Sequence, residues 1–215
     1  MKIKNIFLAH STAMISLEDG INEYRLCAAL TFLLSKKIKP GINGGFVIRK
    51  ILEECKTTEE AVKMIKTLPI SSSHNIVIAD RNGDMAVVEC TSEEISVRYN
   101  KNYVIATNHF ISNNMVKYNN NNENNWYYTN DRYNTIDNCL KNNSNIDFEE
   151  CKKIISGKYG FVCQFEKKLN FDTIWSCVYD LNSLYNEICE GNPSENKYSF
   201  DNRLKWGLKQ NDNIK

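Results

Sequence analysis

Hydrophobic and polar residues follow two periods along the chain, one typical of strands and one typical of helices. Apolar or alternating runs bounded by turn residues predict strands, and Asn82-Gly83 is a strong hairpin signal between two of them. The predicted strands are residues 5–17, 24–34, 75–79, 85–90, 95–99, 103–107, 173–180 and 184–189. The predicted helices are residues 45–55, 57–68, 127–140 and 147–155. A turn at residues 18–20 would join the first two strands.

The order of these elements predicts the fold class. Two strands, two helices, four strands, two helices and two strands fit an α+β layer fold rather than a βαβ array. A four-layer αββα sandwich accommodates this pattern, although the pattern does not define the topology. We expect one domain over residues 1–206, with a mobile Asn-rich loop at residues 119–125 and a polar tail at residues 207–215. The segment from residue 192 is expected to be only partly ordered.

Composition excludes several classes of protein. The net charge is +1, from 27 basic and 26 acidic residues that are interspersed, so we expect no nucleic-acid partner. There is neither a long apolar run nor a signal-like segment, which favours a cytoplasmic protein without a membrane partner. The eight cysteines include no CxxC pair and indicate buried thiols, and the three dispersed histidines indicate no metal site. We expect no cofactor and a small-molecule partner, and homo-oligomerisation is left open.

The segment at residues 103–110, YVIATNHF, carries the most specific chemical signal. It is an apolar run that ends in a polar triplet, and an Asn at the mouth of a strand can direct its amide at a developing oxyanion. Asn108 is therefore a candidate catalytic residue, with a capping or turn role as the alternative. Glu89 ends a predicted strand; we expect a solvated strand end, with an amine-binding role as the alternative.

Several segments, in order, resemble the choloylglycine-hydrolase-like N-terminal-nucleophile amidases. The chain is most similar to the branch that contains acyl-coenzyme A:6-aminopenicillanate acyltransferase, and the similarity covers about residues 6–206. The segments that carry it are residues 19–32 (DGINEYRLCAALTF), 55–61 (CKTTEEA), 75–80, 83–89, 106–110 (ATNHF), 132–133 and 172–176 (DTIWS). The resemblance implies the four-layer αββα fold of that family and an amide hydrolase or acyltransferase activity.

The resemblance also implies roles for individual residues. The family nucleophile is an N-terminal Cys whose own α-amino group acts as the base. Asn108 matches the family Asn that holds the oxyanion, and Arg132 matches the Arg that supports the nucleophile. Thr31 takes the approximate place of an Asn of bile-salt hydrolases, and it is a candidate substrate-binding residue together with His109. For His109, a packing or hydrogen-bonding role is the preferred interpretation.

The sequence departs from the family pattern at the nucleophile. Met1 precedes Lys2, and the first cysteine, Cys27, lies within a predicted strand where a structural role is favoured. Arg25 also stands where the family has Gly, in a turn that needs a positive φ. We therefore expect the C-terminal part of such an enzyme, incomplete at its N-terminus and inactive as it stands. The alternative is a non-catalytic ligand-binding or interaction remnant of the same fold.

Overall fold

The computed structural model describes residues 5–120, 127–143, 145–163, 165–166 and 171–212, with the backbone alone for residues 165–166 and 210–212. The chain forms two compact units. The first comprises Met1–Asn121 and Arg203–Lys215, and the second comprises Asn122–Asn202. Among the described residues, the helices are all too short or too polar to cross a membrane.

The first unit contains a six-stranded antiparallel sheet whose spatial order follows the sequence. Its strands are β1 Phe7–His10, β2 Asp19–Asn22, β3 Leu26–Phe32, β4 His74–Asp80, β5 Met85–Cys90 and β6 Ile95–Tyr99. Between β3 and β4 the chain forms two helices, α1 Gly44–Glu54 and α2 Thr58–Ile65. The predicted helix pair and the predicted hairpin at Asn82-Gly83 are both confirmed, with Gly83 at a φ of 83°.

Local sequence explains where α1 and α2 begin. The side chain of Asn43 caps α1 by accepting a hydrogen bond from Gly45 N at 2.9 Å. Thr57 caps α2 in the same way, accepting from Glu60 N at 3.3 Å. Both caps satisfy backbone donors that a helix start leaves unpaired. The buried faces of both helices pack against one hydrophobic core with the sheet, formed by Val47, Ile48, Ile51, Leu52, Ala61, Val62, Leu26, Ile76, Ile78 and Val88.

The first hairpin differs from the prediction. Residues 11–17 form turns rather than strand, and the predicted turn at residues 18–20 instead begins β2, which pairs with β1. The next turn is built by Asn22, whose Oδ1 accepts from Tyr24 N at 3.0 Å and from Leu26 N at 3.1 Å. Arg25 completes this turn at a φ of 67°. The turn forms at a position where a non-glycine residue is strained.

The prediction of a strand at residues 103–107 is wrong. All five residues are described and none is in a strand. Side chains of the neighbouring sheet pair with this backbone instead: Arg98 Nη2 donates to Ile105 O at 3.0 Å, and Asn75 Nδ2 donates to Thr107 O at 2.8 Å. A short 3₁₀ helix, Val116–Tyr118, follows. The backbone of residues 103–107 is therefore hydrogen-bonded to side chains of the sheet instead of to a partner strand.

The second unit contains the second helix pair, α3 Thr129–Asn142 and α4 Phe148–Ile155. Its strands are β7 Phe165–Glu166, β8 Phe171–Asp172, β9 Trp175–Asp180, β10 Tyr185–Glu190 and β11 Ser199–Phe200. The predicted hairpin is confirmed, since β9 and β10 pair with Asp180 opposite Tyr185. Asp147 caps α4 by accepting a hydrogen bond from Glu150 N at 2.7 Å. Acidic residues in the first turn of α4, Glu149 and Glu150, are typical of a helix start.

The C-terminal segment has more regular structure than predicted. Beyond residue 192 the chain forms β11, which pairs with β10, and then α5, Arg203–Asp212, which belongs to the first unit. Most of the predicted mobile Asn-rich loop lies outside the described residues. Asn119, at its start, donates to Phe110 O at 2.9 Å and accepts from Phe110 N at 2.8 Å. The Asn119 side chain thus binds both backbone groups of Phe110, as a neighbouring strand would.

Candidate active site

A row of three polar side chains crosses the centre of the six-stranded sheet. Thr31 on β3 lies opposite Asn75 on β4, and Asn75 lies opposite Glu89 on β5. Directly opposite residues of antiparallel strands share one face of the sheet. Asn75 and Glu89 are fully buried. We call Thr31, Asn75 and Glu89 the polar row, and each of them binds the backbone of residues 107–112.

Asn75 binds the backbone carbonyls of both neighbours of Asn108, and Thr31 binds one of them. Asn75 Nδ2 donates to Thr107 O at 2.8 Å and to His109 O at 2.9 Å, the carbonyls on either side of Asn108. Thr31 Oγ1 donates to Thr107 O at 2.6 Å and lies 3.2 Å from Asn75 Nδ2. Carbonyls buried without a partner cost free energy, so these donors stabilise one conformation of the segment.

Glu89 holds the same segment further along, and both expectations for it are wrong. It is neither a solvated strand end nor available to an amine, because its carboxylate is fully buried and occupied. Oε1 accepts from Ile111 N at 3.0 Å and Oε2 from Ser112 N at 3.1 Å. Arg98 Nε donates to Oε1 at 2.8 Å and supplies the opposite charge. A buried carboxylate without such partners would cost several kcal/mol of free energy.

Asn108 emerges from this anchored segment beside a groove. Its Nδ2 donates to Phe32 O at 2.7 Å, across from the end of β3. The groove has a volume of about 730 Å³. Its apolar lining comes from Ala13, Leu30, Phe32 and Phe46, and its polar lining from Glu18, Thr31, Asn43, His74 and Asn108, among others. Two of the predicted site residues, Thr31 and Asn108, therefore line one groove, which can accept an apolar group next to an amide donor.

His74 is a groove residue that the sequence analysis missed. The residue is 3% exposed, and Nε2 forms a 2.9 Å hydrogen bond with Ser72 Oγ. Nδ1 is buried without a hydrogen-bond partner among the described residues. Burial lowers the pKa of His74 to about 4, so the ring is neutral near pH 7. A β-carbon added at Gly44 would lie 2.8 Å from the ring, so glycine at the start of α1 permits this packing.

His109 and Arg132 occupy different surroundings. His109 Nδ1 lies 3.0 Å from Thr107 Oγ1, within the anchored segment of the first unit. Arg132 lies in the second unit on α3, where its Nε donates to Tyr127 O at 2.9 Å. Burial lowers the pKa of its guanidinium from the ordinary value. A substrate-binding role for His109 and a catalytic role for Arg132 remain predictions.

The cysteines bear on the question of the nucleophile. Burial raises the thiol pKa of Cys27, Cys139, Cys151 and Cys189, that of Cys90 to about 12 and that of Cys163 to about 11. The thiolate is the nucleophilic form, and catalytic cysteines have a lowered pKa. The protonated thiol therefore dominates at these six positions near pH 7.

Comparison with known proteins identifies the family. The model of the family described as acyl-coenzyme A:6-aminopenicillanic acid acyl-transferase matches residues 4–195. The chain belongs to this family. Its members are acyltransferases and amidohydrolases of the choloylglycine hydrolase type. No curated protein matches the chain.

Solved structures agree with membership of the acyl-transferase family. Penicillin V acylase from Agrobacterium tumefaciens has a TM-score of 0.62 and 16% identity, over 88% of this chain and 68% of its own. A variant of conjugated bile acid hydrolase from Clostridium perfringens has a TM-score of 0.65 and 14% identity, over 94% of this chain and 79% of its own. At such identities the likeness shows the fold. It confirms the α+β fold class of the N-terminal-nucleophile hydrolases.

Proposed function

We propose that this chain is the C-terminal part of an amidohydrolase or acyltransferase that acts on linear amides or acyl thioesters. The nucleophile would be an N-terminal Cys that is not among the eight cysteines of this sequence. The observation that carries the proposal is the position of Asn108, whose two flanking carbonyls are bound by Asn75 beside the groove. Oxyanion stabilisation requires such a donor to be held in place before the reaction begins.

The residues of the groove suit one half of the reaction. Attack of a thiolate on an amide or thioester carbonyl forms an S–C bond and places the electron pair of the C=O bond on oxygen. The Asn108 amide would donate to that oxyanion. Collapse of the oxyanion would break the C–N or C–S bond and leave an acyl-Cys, and the departing amine or thiol would take the proton that the nucleophile's α-amino group removed from the Cys thiol. The apolar wall formed by Leu30, Phe32 and Phe46 suits the acyl group. Support of the nucleophile by Arg132 rests on the resemblance alone.

The same proposal covers the extent of the domain, the location of the protein and its partners. Residues 1–206 would form part of a single N-terminal-nucleophile hydrolase domain, and the substrate would be a small molecule. We expect a cytoplasmic location, which the free thiols of six cysteines support: Cys27, Cys90, Cys139, Cys151, Cys163 and Cys189. The nearly balanced charge supports the expectation that nucleic acid is not a partner.

Penicillin V and its acyl product, phenoxyacetate, provide a direct test. The proposal predicts that purified chain 1–215 binds phenoxyacetate and does not hydrolyse penicillin V. Binding is measured as a rise in thermal midpoint with ligand concentration, and Asn108→Ala should need about tenfold more ligand for the same rise. The proposal fails if phenoxyacetate stabilises both proteins equally or neither. It also fails if the wild-type chain hydrolyses penicillin V and Cys27→Ala does not.

A second candidate function is a non-catalytic ligand-binding protein built on the same groove. The groove itself favours it, since binding to Leu30, Phe32 and Asn108 requires no thiolate. It shares the prediction of phenoxyacetate binding. It differs in predicting no turnover when the chain is produced behind a family N-terminal strand that begins with Cys. Turnover of penicillin V by that longer protein would favour the amidase.

A further inference from the structure

We propose that Asn75 is the positioning residue of this site and acts through Asn108. The inference rests on the proposed function for its catalytic meaning, although its structural part stands by itself. One side-chain amide binds the carbonyl before Asn108 and the carbonyl after it, at 2.8 and 2.9 Å. The backbone on both sides of Asn108 is thereby tied to β4, at the centre of the sheet.

The orientation of the Asn75 side chain shows which part of its amide matters. Nδ2 faces Thr107 O, His109 O and Thr31 Oγ1, whereas Oδ1 is buried without a hydrogen-bond partner among the described residues. An unpaired buried acceptor is unfavourable. The amide nevertheless keeps its donors on the segment that carries Asn108. A carboxylate at this position would face two carbonyl oxygens and could not replace the amide.

The segment around Asn108 depends on side chains of the sheet for its position. Residues 103–109 are all described and lie in neither helix nor strand. The hydrogen bonds that tie this part of the main chain to the sheet include those of Asn75 and Thr31 to the carbonyls beside Asn108. Further along, the Ile111 and Ser112 amides are bound by Glu89. Among the members of the polar row, Asn75 is the one whose side chain reaches both sides of Asn108.

Asn22 provides a matched control. It is also fully buried, and its Nδ2 also donates to two carbonyls, Leu52 O at 3.1 Å and Cys55 O at 2.8 Å. Those carbonyls belong to the end of α1 rather than to the Asn108 segment. Asn75→Asp and Asn22→Asp therefore make the same chemical change at equally buried amides, and only the first one releases Asn108.

Hydrogen exchange followed by NMR tests the structural part. The Phe110, Ile111 and Ser112 amides are all hydrogen-bonded, to Asn119 and Glu89, and report on the segment. We expect Asn75→Asp to accelerate their exchange about tenfold or more relative to the β4 amides, and Asn22→Asp to leave that ratio unchanged. Thr31→Val, which removes one donor to Thr107 O, should give a smaller effect and serves if Asn75→Asp does not fold. Unchanged ratios in folded Asn75→Asp would overturn the proposal, as would unchanged ratios in Thr31→Val if Asn75→Asp does not fold.

A double-mutant cycle tests whether Asn75 acts through Asn108. Phenoxyacetate affinity is measured for the wild type, Asn75→Asp, Asn108→Ala and the double variant. We expect each single change to weaken binding about tenfold and the double change to add little, because coupled residues are not additive. A double variant about 100-fold weaker would show independent effects and overturn the inference. If the wild type binds no phenoxyacetate, the proposed function fails. The exchange ratios alone then test whether Asn75 positions the segment that carries Asn108.

Discussion

The carboxylate of Glu89 and the guanidinium of Arg98 form a buried ion pair with an Nε–Oε1 distance of 2.8 Å. The Glu89 side chain is fully buried and that of Arg98 is 23% exposed. The Glu89 carboxylate also accepts hydrogen bonds from Ile111 N and Ser112 N, and Arg98 Nη2 donates one to Ile105 O. This pair therefore links β5 and β6 to both ends of the segment that carries Asn108.

Removal of the positive partner should be costly. Arg98→Met leaves a buried carboxylate with backbone donors alone, and we expect the free energy of unfolding to fall by about 3 kcal/mol. The measurement is urea denaturation. Lys63→Met is the control, because the Lys63–Glu59 pair is exposed on α2 and its loss should leave the midpoint unchanged. Equal effects of the two substitutions would show that burial does not increase the cost of breaking the Glu89–Arg98 pair.

The turn between β2 and β3 offers a stabilising substitution. Arg25 has a φ of 67°, a conformation that glycine adopts without steric cost. We expect Arg25→Gly to raise the free energy of unfolding by about 1 kcal/mol in thermal or urea melts. Arg81→Gly, at a residue whose φ is not positive, should give no gain. A loss of stability in Arg25→Gly would mean that the arginine side chain contributes more than its backbone strain costs.

His74 predicts a defined dependence of stability on pH. Burial lowers its pKa from 6.5 to about 4, so between these values the unfolded chain binds a proton that the folded chain does not. The free energy of unfolding should therefore fall as the pH drops from 6.5 to 4, by up to about 3 kcal/mol from this group. We expect His74→Gln to lack this part of the slope and His109→Gln to retain it. Identical pH profiles for His74→Gln and the wild type would contradict the assignment.

The packing of Gly44 on the His74 ring can be tested separately. A β-carbon at Gly44 would lie 2.8 Å from ring atoms, whereas one at Gly207 would meet Ile6 at an ordinary 3.6 Å. We expect Gly44→Ala to lower the free energy of unfolding by about 1–3 kcal/mol, through overpacking. Gly207→Ala, within α5, should be neutral or stabilising. The thermal midpoints of the two variants provide the comparison, and a neutral Gly44→Ala would show that the ring can move aside.

Local signals in the sequence account for much of the fold. Thr57 and Asp147 mark the starts of α2 and α4 because each caps a backbone amide three positions further on. Asn82-Gly83 marks the β4–β5 turn because glycine adopts the positive φ found there. The apolar pattern at residues 103–107 predicts a strand that does not form, since pairing depends on a partner strand that local sequence does not reveal.

The candidate site was predictable only in part. The polar triplet after the apolar run at residues 103–107 points to Asn108, the resemblance adds Thr31, and both line the groove. Asn75 and Glu89 bind backbone groups more than 20 positions further along the chain, so their roles depend on the register of the sheet. His74 gave no sequence signal, because an isolated histidine at a strand start is compatible with many environments. Long-range hydrogen bonds thus define the site more than any local motif does.

The intact mass and N-terminal residue of the protein isolated from its native source test the central claim most directly. The proposed amidase requires a Cys with a free α-amino group. The account predicts that this chain is found within a longer polypeptide that begins with Cys, or together with a partner chain that does. A native mass of 24.9 kDa with Met1 at the N-terminus and no such partner would contradict it. The groove would then belong to a ligand-binding protein.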